Sequence, residues 1–266
     1  MKGTFIKGMI LATLLLFSAL TWTQAQESKT IKLAEPTKKG GLTIMEAFSK
    51  RASVRAWADK DLSAQDLSNL LWAANGINRA ESKMRTAPSA LNSQDVDIYV
   101  FMKSGTYLYD AANHALNLIV SGDHRAEIIQ SRGGARPAGG AAGAPGGAAG
   151  APGGAPSGAP AGAAGPPGGM PGGAPAGGQG SSAPVNLLLV SDLSRFPMGT
   201  DESRRESGAI DTGIVSENIG LFCAGNGLAT VPRAGVNKDA AKTLLKLKDT
   251  QHIFLENAVG YPSGIK

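Results

Sequence analysis

The sequence predicts an α+β fold, an α/β sandwich with helices and strands interleaved around one sheet. Three observations carry this. Val96, Ile98, Val100 and Met102 alternate with Asp97, Tyr99, Phe101 and Lys103, the period-two pattern of a strand. Val185 to Val190 is a short continuous apolar run, as expected of a strand covered on both faces. Capped amphipathic segments stand before, between and after these runs, which is the mixed order of an α+β chain.

In chain order, Lys2 and Lys7 precede an apolar run from Met9 to Leu20, and Thr23-Gln24-Ala25 supplies small residues for cleavage, so residues 1–25 are expected to be a Sec signal peptide. The run is shorter than the roughly 20 residues that cross a bilayer, so no stable membrane span is expected. The protein is expected to be periplasmic or secreted. Thr43-Ile44-Met45-Glu46 forms a capping box that opens a helix to about Lys50. Ser63-Ala64-Gln65-Asp66 is read as a second box, opening a helix with Leu67, Leu70, Leu71 and Ala74 inward, and Gly76 is expected to end it in the left-handed conformation. After the strand at Val96, Ser104-Gly105 turns the chain into Thr106 to Tyr109, a hairpin. A helical stretch is expected from about Ala112 to Val120.

Between Gly133 and Gly180 the sequence holds 20 Gly, 15 Ala and 9 Pro in 48 residues, with Arg136 its only charge and Met170 its only large apolar side chain. Such a segment has too little to bury to offset the entropy of ordering, so 133–182 is expected to be a disordered insert that splits one domain into 26–132 and 183–266. Its glycine doublets break the period of three that a collagen helix needs. Beyond it, about Arg204 to Ala224 is a long helix whose Ile210, Ile214, Ile219, Leu221 and Phe222 spread around its circumference, predicting burial nearly all round. Lys238 to Leu247, capped by Asn237, is a further helix, and Ile253 to Val259 a terminal strand.

Composition narrows the function. Net charge is +5, and +3 without Lys2 and Lys7, with both signs interspersed and no basic stripe carrying aromatics, so nucleic acid is not an expected partner. Cys223 is the single cysteine, which excludes an internal disulfide, and it is expected to be a core residue. His114, His124 and His252 are dispersed and give no metal-ligand spacing.

Three segments could hold chemistry. In an extended Arg51-Ala52-Ser53-Val54-Arg55, positions 51, 53 and 55 share one side, so two guanidinium forks and a hydroxyl converge as a phosphate requires; a solvated basic turn is the other reading. Thr86-Ala87-Pro88-Ser89-Ala90-Leu91-Asn92-Ser93-Gln94 concentrates hydroxyl and carboxamide groups suited to polyols and ring amides, or to capping its own turn. Gly225-Asn226-Gly227-Leu228-Ala229-Thr230 imitates a dinucleotide fingerprint, but a helix precedes it and an extended segment follows, the reverse of what that motif needs. Its glycines are expected to cap the helix and admit a close backbone approach.

These phrases, in order, resemble the FMN-dependent nitroreductase family, and within it the SagB/ThcOx-type dehydrogenases. Arg51 to Arg55 is similar to its R-x-S-x-R/K opening. Leu62-Ser63 to Gly76 is similar to its L-S-x-x-x-L-S-x-L-L-W-A-A-x-G helix, and Ala87 to Gln94 to A-P-S-A-x-N-x-Q. Ile210 to Leu228 is similar to I-D-x-G-x-x-x-x-N-I-x-L-x-A-x-x-x-G-L, and Val259 to Pro262 to the terminal V-G-Y-P.

The resemblance implies a central mixed, mainly antiparallel sheet and an intertwined homodimer with FMN at the interface. It implies that Arg51, Ala52 and Ser53 hold the phosphate and ribityl end, that Arg55 reaches the ribityl chain and pyrimidine edge, and that Pro88, Ser89 and Asn92 contact the ring or ribityl hydroxyls. The backbone of Gly227, Leu228, Ala229 and Thr230 would approach the flavin, and Lys266 is the one basic residue near the carboxyl end able to join the phosphate. The implied activity is ping-pong hydride transfer through FMN to a small acceptor such as a quinone or nitroaromatic, or dehydrogenation of a small substrate. NAD(P)H is the family's usual donor but is cytosolic, which conflicts with export. The alternative is a module of this fold that holds flavin or another ligand without turnover.

Overall fold

The computed structural model describes residues 29–129 and 183–263. The expected signal peptide over 1–25, the insert over 133–182 and Lys266 lie outside the described residues. In chain order the elements are β1 (Thr30–Lys32), α1 (Ile44–Lys50), α2 (Ala64–Asn75), the short strands β2 (Ile77–Arg79) and β3 (Met84–Arg85), β4 (Val96–Met102), β5 (Gly105–Asp110) and β6 (Ala115–Ser121). After the insert come β7 (Val185–Asp192), α3 (Asp201–Gly225), β8 (Ala229–Arg233), α4 (Lys238–Leu245) and β9 (Gln251–Gly260). Seven strands make one sheet in the order β1-β6-β5-β4-β7-β9-β8, every neighbouring pair antiparallel. Its parallel contribution is an isolated bridge between Ser53 and Thr230 at the β8 edge.

The sheet separates two cores because its strands alternate. Ile98, Val100, Leu187, Leu189 and Val259 face Leu67, Leu70 and Leu71 of α2 and Val215, Ile219 and Cys223 of α3. Tyr99, Phe101, Leu188 and Val190 face Ile128, Val236 and Ala241 and Leu245 of α4. This is the sandwich that the alternation at β4 and the all-apolar run at β7 predict.

Helix ends follow their local chemistry. At Thr43 both halves of the capping box form, with the Glu46 N–H donating to Thr43 Oγ1 and the Thr43 N–H donating to Glu46 Oε2. At Ser63 only half forms. Asp66 is one methylene shorter than glutamate, and its carboxylate takes the Ser63 hydroxyl and the Tyr261 phenol while the Ser63 N–H donates to Tyr261 Oη.

Three expectations are corrected. Gly76 is not left-handed; its φ is −77°, continuing directly into β2, and a side chain there would strike Trp72 at 2.6 Å. The stretch from Ala112 to Val120 is not helical. Asp110 takes the N–H groups of Ala112 and Asn113, His114 turns at φ 46°, and the chain returns as β6 between β5 and β1. Nor is α3 buried all round in one chain: Gly208, Asp211, Thr212, Val215, Ile219 and Cys223 form the inward stripe, while Ile210 is 59% exposed and Ile214, Leu221 and Phe222 are half-buried.

The chain on either side of the insert is anchored within the sandwich. Ile129 bridges Val236, and the Asn237 N–H donates to Ile128 O at 3.0 Å. Arg125 Nη1 donates to the carbonyls of Ala183 and Pro184 at 3.1 and 3.2 Å while Asp123 holds the rest of its guanidinium. Replacing residues 133–180 by a short Gly-Ser linker is therefore expected to leave the melting temperature within about 2 °C of the parent and the ligand-binding properties intact. Calorimetry checks it; a lower melting temperature or lost binding would give the insert a structural role.

Candidate functional site

The opening motif is an extended segment fixed from behind. Arg51 caps α1 by donating its N–H to Ala47 O, the Val54 N–H donates to Thr230 O at 2.9 Å, and Ser53 bridges Thr230. Trp57 then pairs with Pro262 and donates its indole N–H toward Ala229 O at 3.4 Å, and the Ala58 N–H donates to Tyr261 O. The V-G-Y-P segment and β8 thus hold this stretch from one side. Val54 is half-buried, whereas Arg51, Ala52, Ser53 and Arg55 are all exposed, so exposure does not set 51, 53 and 55 apart from 52. Among the described residues neither arginine pairs with a carboxylate.

Against this segment lies the end of α3. The N–H groups of Asn226 and Leu228 both donate to Cys223 O, and Gly227 takes the left-handed conformation at φ 71° that lets the chain reverse into β8. Leu228, Ala229 and Thr230 are buried, and Thr230 Oγ1 has no hydrogen-bond partner among the described residues. Helix before and strand after repeat the order that excludes a dinucleotide fingerprint. Arg51 to Arg55 and Gly227 to Thr230 are thus one locality.

Pro88, Ser89 and Asn92 belong to a second locality. Ser89 Oγ accepts the Gln94 N–H at 2.9 Å, so this hydroxyl serves its own turn while keeping its proton to donate elsewhere. Pro88, Leu91 and Asn92 are exposed, and Leu91, Asn92 and Gln94 all have φ near +50°. The Ala90 N–H donates to Asp211 Oδ2 at 2.9 Å. Asp211 stands fourteen residues before Gly225 on α3, about 21 Å along the helix axis. One chain therefore carries the two predicted halves far apart.

The remaining residues resolve plainly. Cys223 is fully buried and burial pushes its thiol pKa up, so it is core. Tyr107 and Tyr109 are buried in the hairpin, bonded to Ser104 and His114. Among the described residues no cluster of His, Cys, Asp or Glu could hold a metal, and no helix is long and apolar enough to cross a membrane. A surface cleft lined by Asp201, Glu202, Arg204, Arg205, Thr250 and His252 lies at the opposite end of α3 and mixes both charges. Sequence reasoning missed the contact of Ala90 with Asp211 and that of the buried Asp95 with Ser191, both between residues remote in the chain.

An exposed apolar surface accompanies both localities: Leu42, Ile44, Met45 and Phe48 around α1, and Leu91, Met198 and Ile210 near the loop and the first half of α3.

The sequence profile of the nitroreductase family matches residues 48–261. No curated protein matches the sequence. Among solved structures, a provisionally assigned nitroreductase from Ralstonia eutropha JMP134 is similar at TM-score 0.66 and 24% identity, over 90% of this chain and 92% of that one. Another provisionally assigned nitroreductase, from Anabaena variabilis ATCC 29413, is similar at TM-score 0.61 and 15% identity, over 90% of this chain and 42% of that one. At these identities the likeness is one of fold, and it agrees with the sandwich described above. With the profile covering both localities and the strands between them, the chain belongs to the nitroreductase family.

Proposed function

We propose that the protein is an exported FMN-dependent oxidoreductase that passes reducing equivalents to a small acceptor such as a quinone or nitroaromatic, and that it works as a homodimer. The observation that carries this is the exposed Arg51 to Arg55 segment, joined by backbone to Thr230, whose two guanidinium groups pair with no carboxylate among the described residues and stand on either side of the Ser53 hydroxyl in the chain. Cations left unpaired on a braced segment fit an anionic tail, and the unpartnered Thr230 Oγ1 beside them is a buried polar atom for which a ribityl hydroxyl or a water is a suitable partner.

FMN supplies the hydride and electron chemistry when bound, so the protein needs no nucleophile or triad. Arg51 and Ser53 would hold the phosphate, with Lys266 a further candidate, and Ala52 would lie along it. A fixed cation at Arg55 would favour the negative charge that reduction brings to the pyrimidine edge. The backbone of Gly227 to Thr230 would lie under the ring.

Pro88, Ser89 and Asn92 would come from the second copy. A two-fold pairing of α3 helices brings the end of one toward the middle of the other, joining localities about 21 Å apart in one chain, and covers the half-exposed Ile210, Ile214, Leu221 and Phe222. Mass spectrometry of the small molecule released on denaturation, with native mass for the dimer, tests both statements. Release of FMN from a dimer is expected, and a monomer that takes up no FMN would end the proposal. Export rests on the Lys2, Lys7 and Met9–Leu20 pattern. Amino-terminal sequencing of the mature protein is expected to start at about Gln26, and a mature chain retaining residues 1–25 would count against it.

A further inference from the structure

We propose that Gln94 is a positioning residue of the flavin site: it makes no contact with the cofactor and instead holds Pro88, Ser89 and Asn92 in the shape that meets the ring bound on the second copy. The loop's contact with the flavin belongs to the reading above, on which this rests.

The loop needs holding. Leu91, Asn92 and Gln94 lie in the left-handed region, with φ of 55°, 53° and 49°, within four positions and without a glycine among them. L side chains adopt that conformation rarely, and it persists where surrounding contacts over-determine it. Pro88, Leu91 and Asn92 are exposed, whereas Gln94, at the end of the loop, is half-buried. The Ala90 N–H is held separately by Asp211 of α3.

Every polar atom of Gln94 is engaged. Its N–H donates to Ser89 Oγ at 2.9 Å, closing the loop on itself. Its carbonyl oxygen accepts Arg195 Nη1 at 3.0 Å, and Arg195 is fixed in turn by Nη2 donating to Asp97 Oδ2 at 2.7 Å. In the side chain, Oε1 accepts Arg85 Nε from β3 at 3.0 Å, and Nε2 donates to Lys83 O, in the turn ahead of β3, at 3.1 Å. The same Nε2 stands 3.5 Å from Asn92 Oδ1, so the oxygen of that amide faces Gln94 and its N–H groups are left to another partner. The β2–β3 turn, β3 and the Leu193–Arg195 turn after β7 thus converge on one residue, and that residue touches both Ser89 and Asn92.

These partners ask for a carboxamide. Arg85 pairs with no carboxylate among the described residues, so its Nε is met by an amide oxygen, while Lys83 O needs a donor. A carboxylate offers acceptors alone and an ammonium donors alone, whereas glutamine carries both. Without the side-chain bonds, the left-handed backbone at position 94 is held by Ser89 and Arg195 only. Ser89 and Asn92 then sample other arrangements, and the loop has to be ordered when the ring binds, which costs affinity.

Gln94→Met keeps the length of the side chain and removes its hydrogen bonds. Gln94→Glu keeps the acceptor for Arg85 and removes the donor. The test is FMN affinity of the purified protein by fluorescence quenching, with melting temperature measured without FMN to show that each variant is folded. Gln94→Met is expected to bind FMN about tenfold more weakly than the parent, and Gln94→Glu about threefold. A residue that acts through Asn92 matters less once Asn92 is gone. In an Asn92→Gly background, which still admits the left-handed backbone, Gln94→Met is therefore expected to cost no more than about a further threefold, whereas Arg51→Ala should cost as much beside Gln94→Met as it does alone. Should Gln94→Met fail to fold, Gln94→Glu carries the same comparison, and an affinity equal to the parent's overturns the inference. Gln94→Met binding within about twofold of the parent, Gln94→Glu as weak as Gln94→Met, or full additivity of Gln94→Met with Asn92→Gly also overturns this inference alone. A parent protein that binds no FMN overturns the flavin reading, and this one with it.

Discussion

Arg51→Ala is expected to weaken FMN binding roughly 10- to 100-fold, Arg55→Ala by a similar factor, and the double variant to purify without colour. Hydrogen bonds to a charged group contribute about 1.5–3 kcal/mol each, and about 1.4 kcal/mol is tenfold in affinity. Neither guanidinium pairs with a carboxylate among the described residues, so their removal leaves no charge orphaned. Both side chains are exposed, and the backbone bonds that fix the segment come from Arg51 N–H to Ala47 O and Val54 N–H to Thr230 O. The variants should therefore melt within about 1 °C of the parent without cofactor, which separates lost binding from lost folding. Arg51→Lys should recover part of the affinity, because lysine keeps the charge but presents no rigid fork. Fluorescence titration with FMN decides the matter: full affinity in the double variant would place the phosphate elsewhere.

What could be read beforehand was what short stretches of sequence determine. The caps at Thr43, Ser63 and Asn237, the alternation of β4 and the apolar run of β7 each act over a few residues, and each element stands where that chemistry puts it. The extended backbone of Arg51 to Arg55 was legible for the same reason, and it docks on Thr230. Where distant partners decide, local reading failed. Ala112 to Val120 has helical composition, yet β5 on one side and β1 on the other claim its backbone, and β1 itself is only three residues long. Asp211 meets Ala90 from 121 residues away. Periodicity along α3 reported apolar residues all round correctly, but one chain covers only one stripe. Sequence spacing cannot distinguish burial within one chain from burial against another.

The largest stability effect is expected at β8, the edge strand onto which Ser53 docks. Arg233 and Glu256 face each other across β8 and β9, with Nε to Oε2 at 2.7 Å and Nη2 to Oε1 at 2.9 Å. The Glu256 side chain is 4% exposed and that of Arg233 29%, so the carboxylate depends on the arginine while the arginine still reaches solvent. Removing one partner of a buried pair costs about 3–5 kcal/mol, and the partial exposure here argues for the lower end. Arg233→Ala is thus expected to lower the melting temperature by roughly 6–12 °C at pH 7.5. Burial already holds the Glu256 carboxyl above its ordinary value despite the neighbouring guanidinium, and without that guanidinium it must rise further. A raised carboxyl stabilises the fold while protonated and loses that contribution as pH climbs through its folded value, so the Arg233→Ala deficit should shrink as pH falls toward 5. Glu256→Gln should cost less than Arg233→Ala, since a neutral amide can be buried beside an arginine that keeps access to water, and in the Arg233→Ala background it should restore stability at pH 7.5. Melting curves between pH 5 and 8 test this; a deficit independent of pH, or a Glu256→Gln protein less stable than Arg233→Ala, would show that the lost energy is packing at the sheet edge rather than a stranded charge.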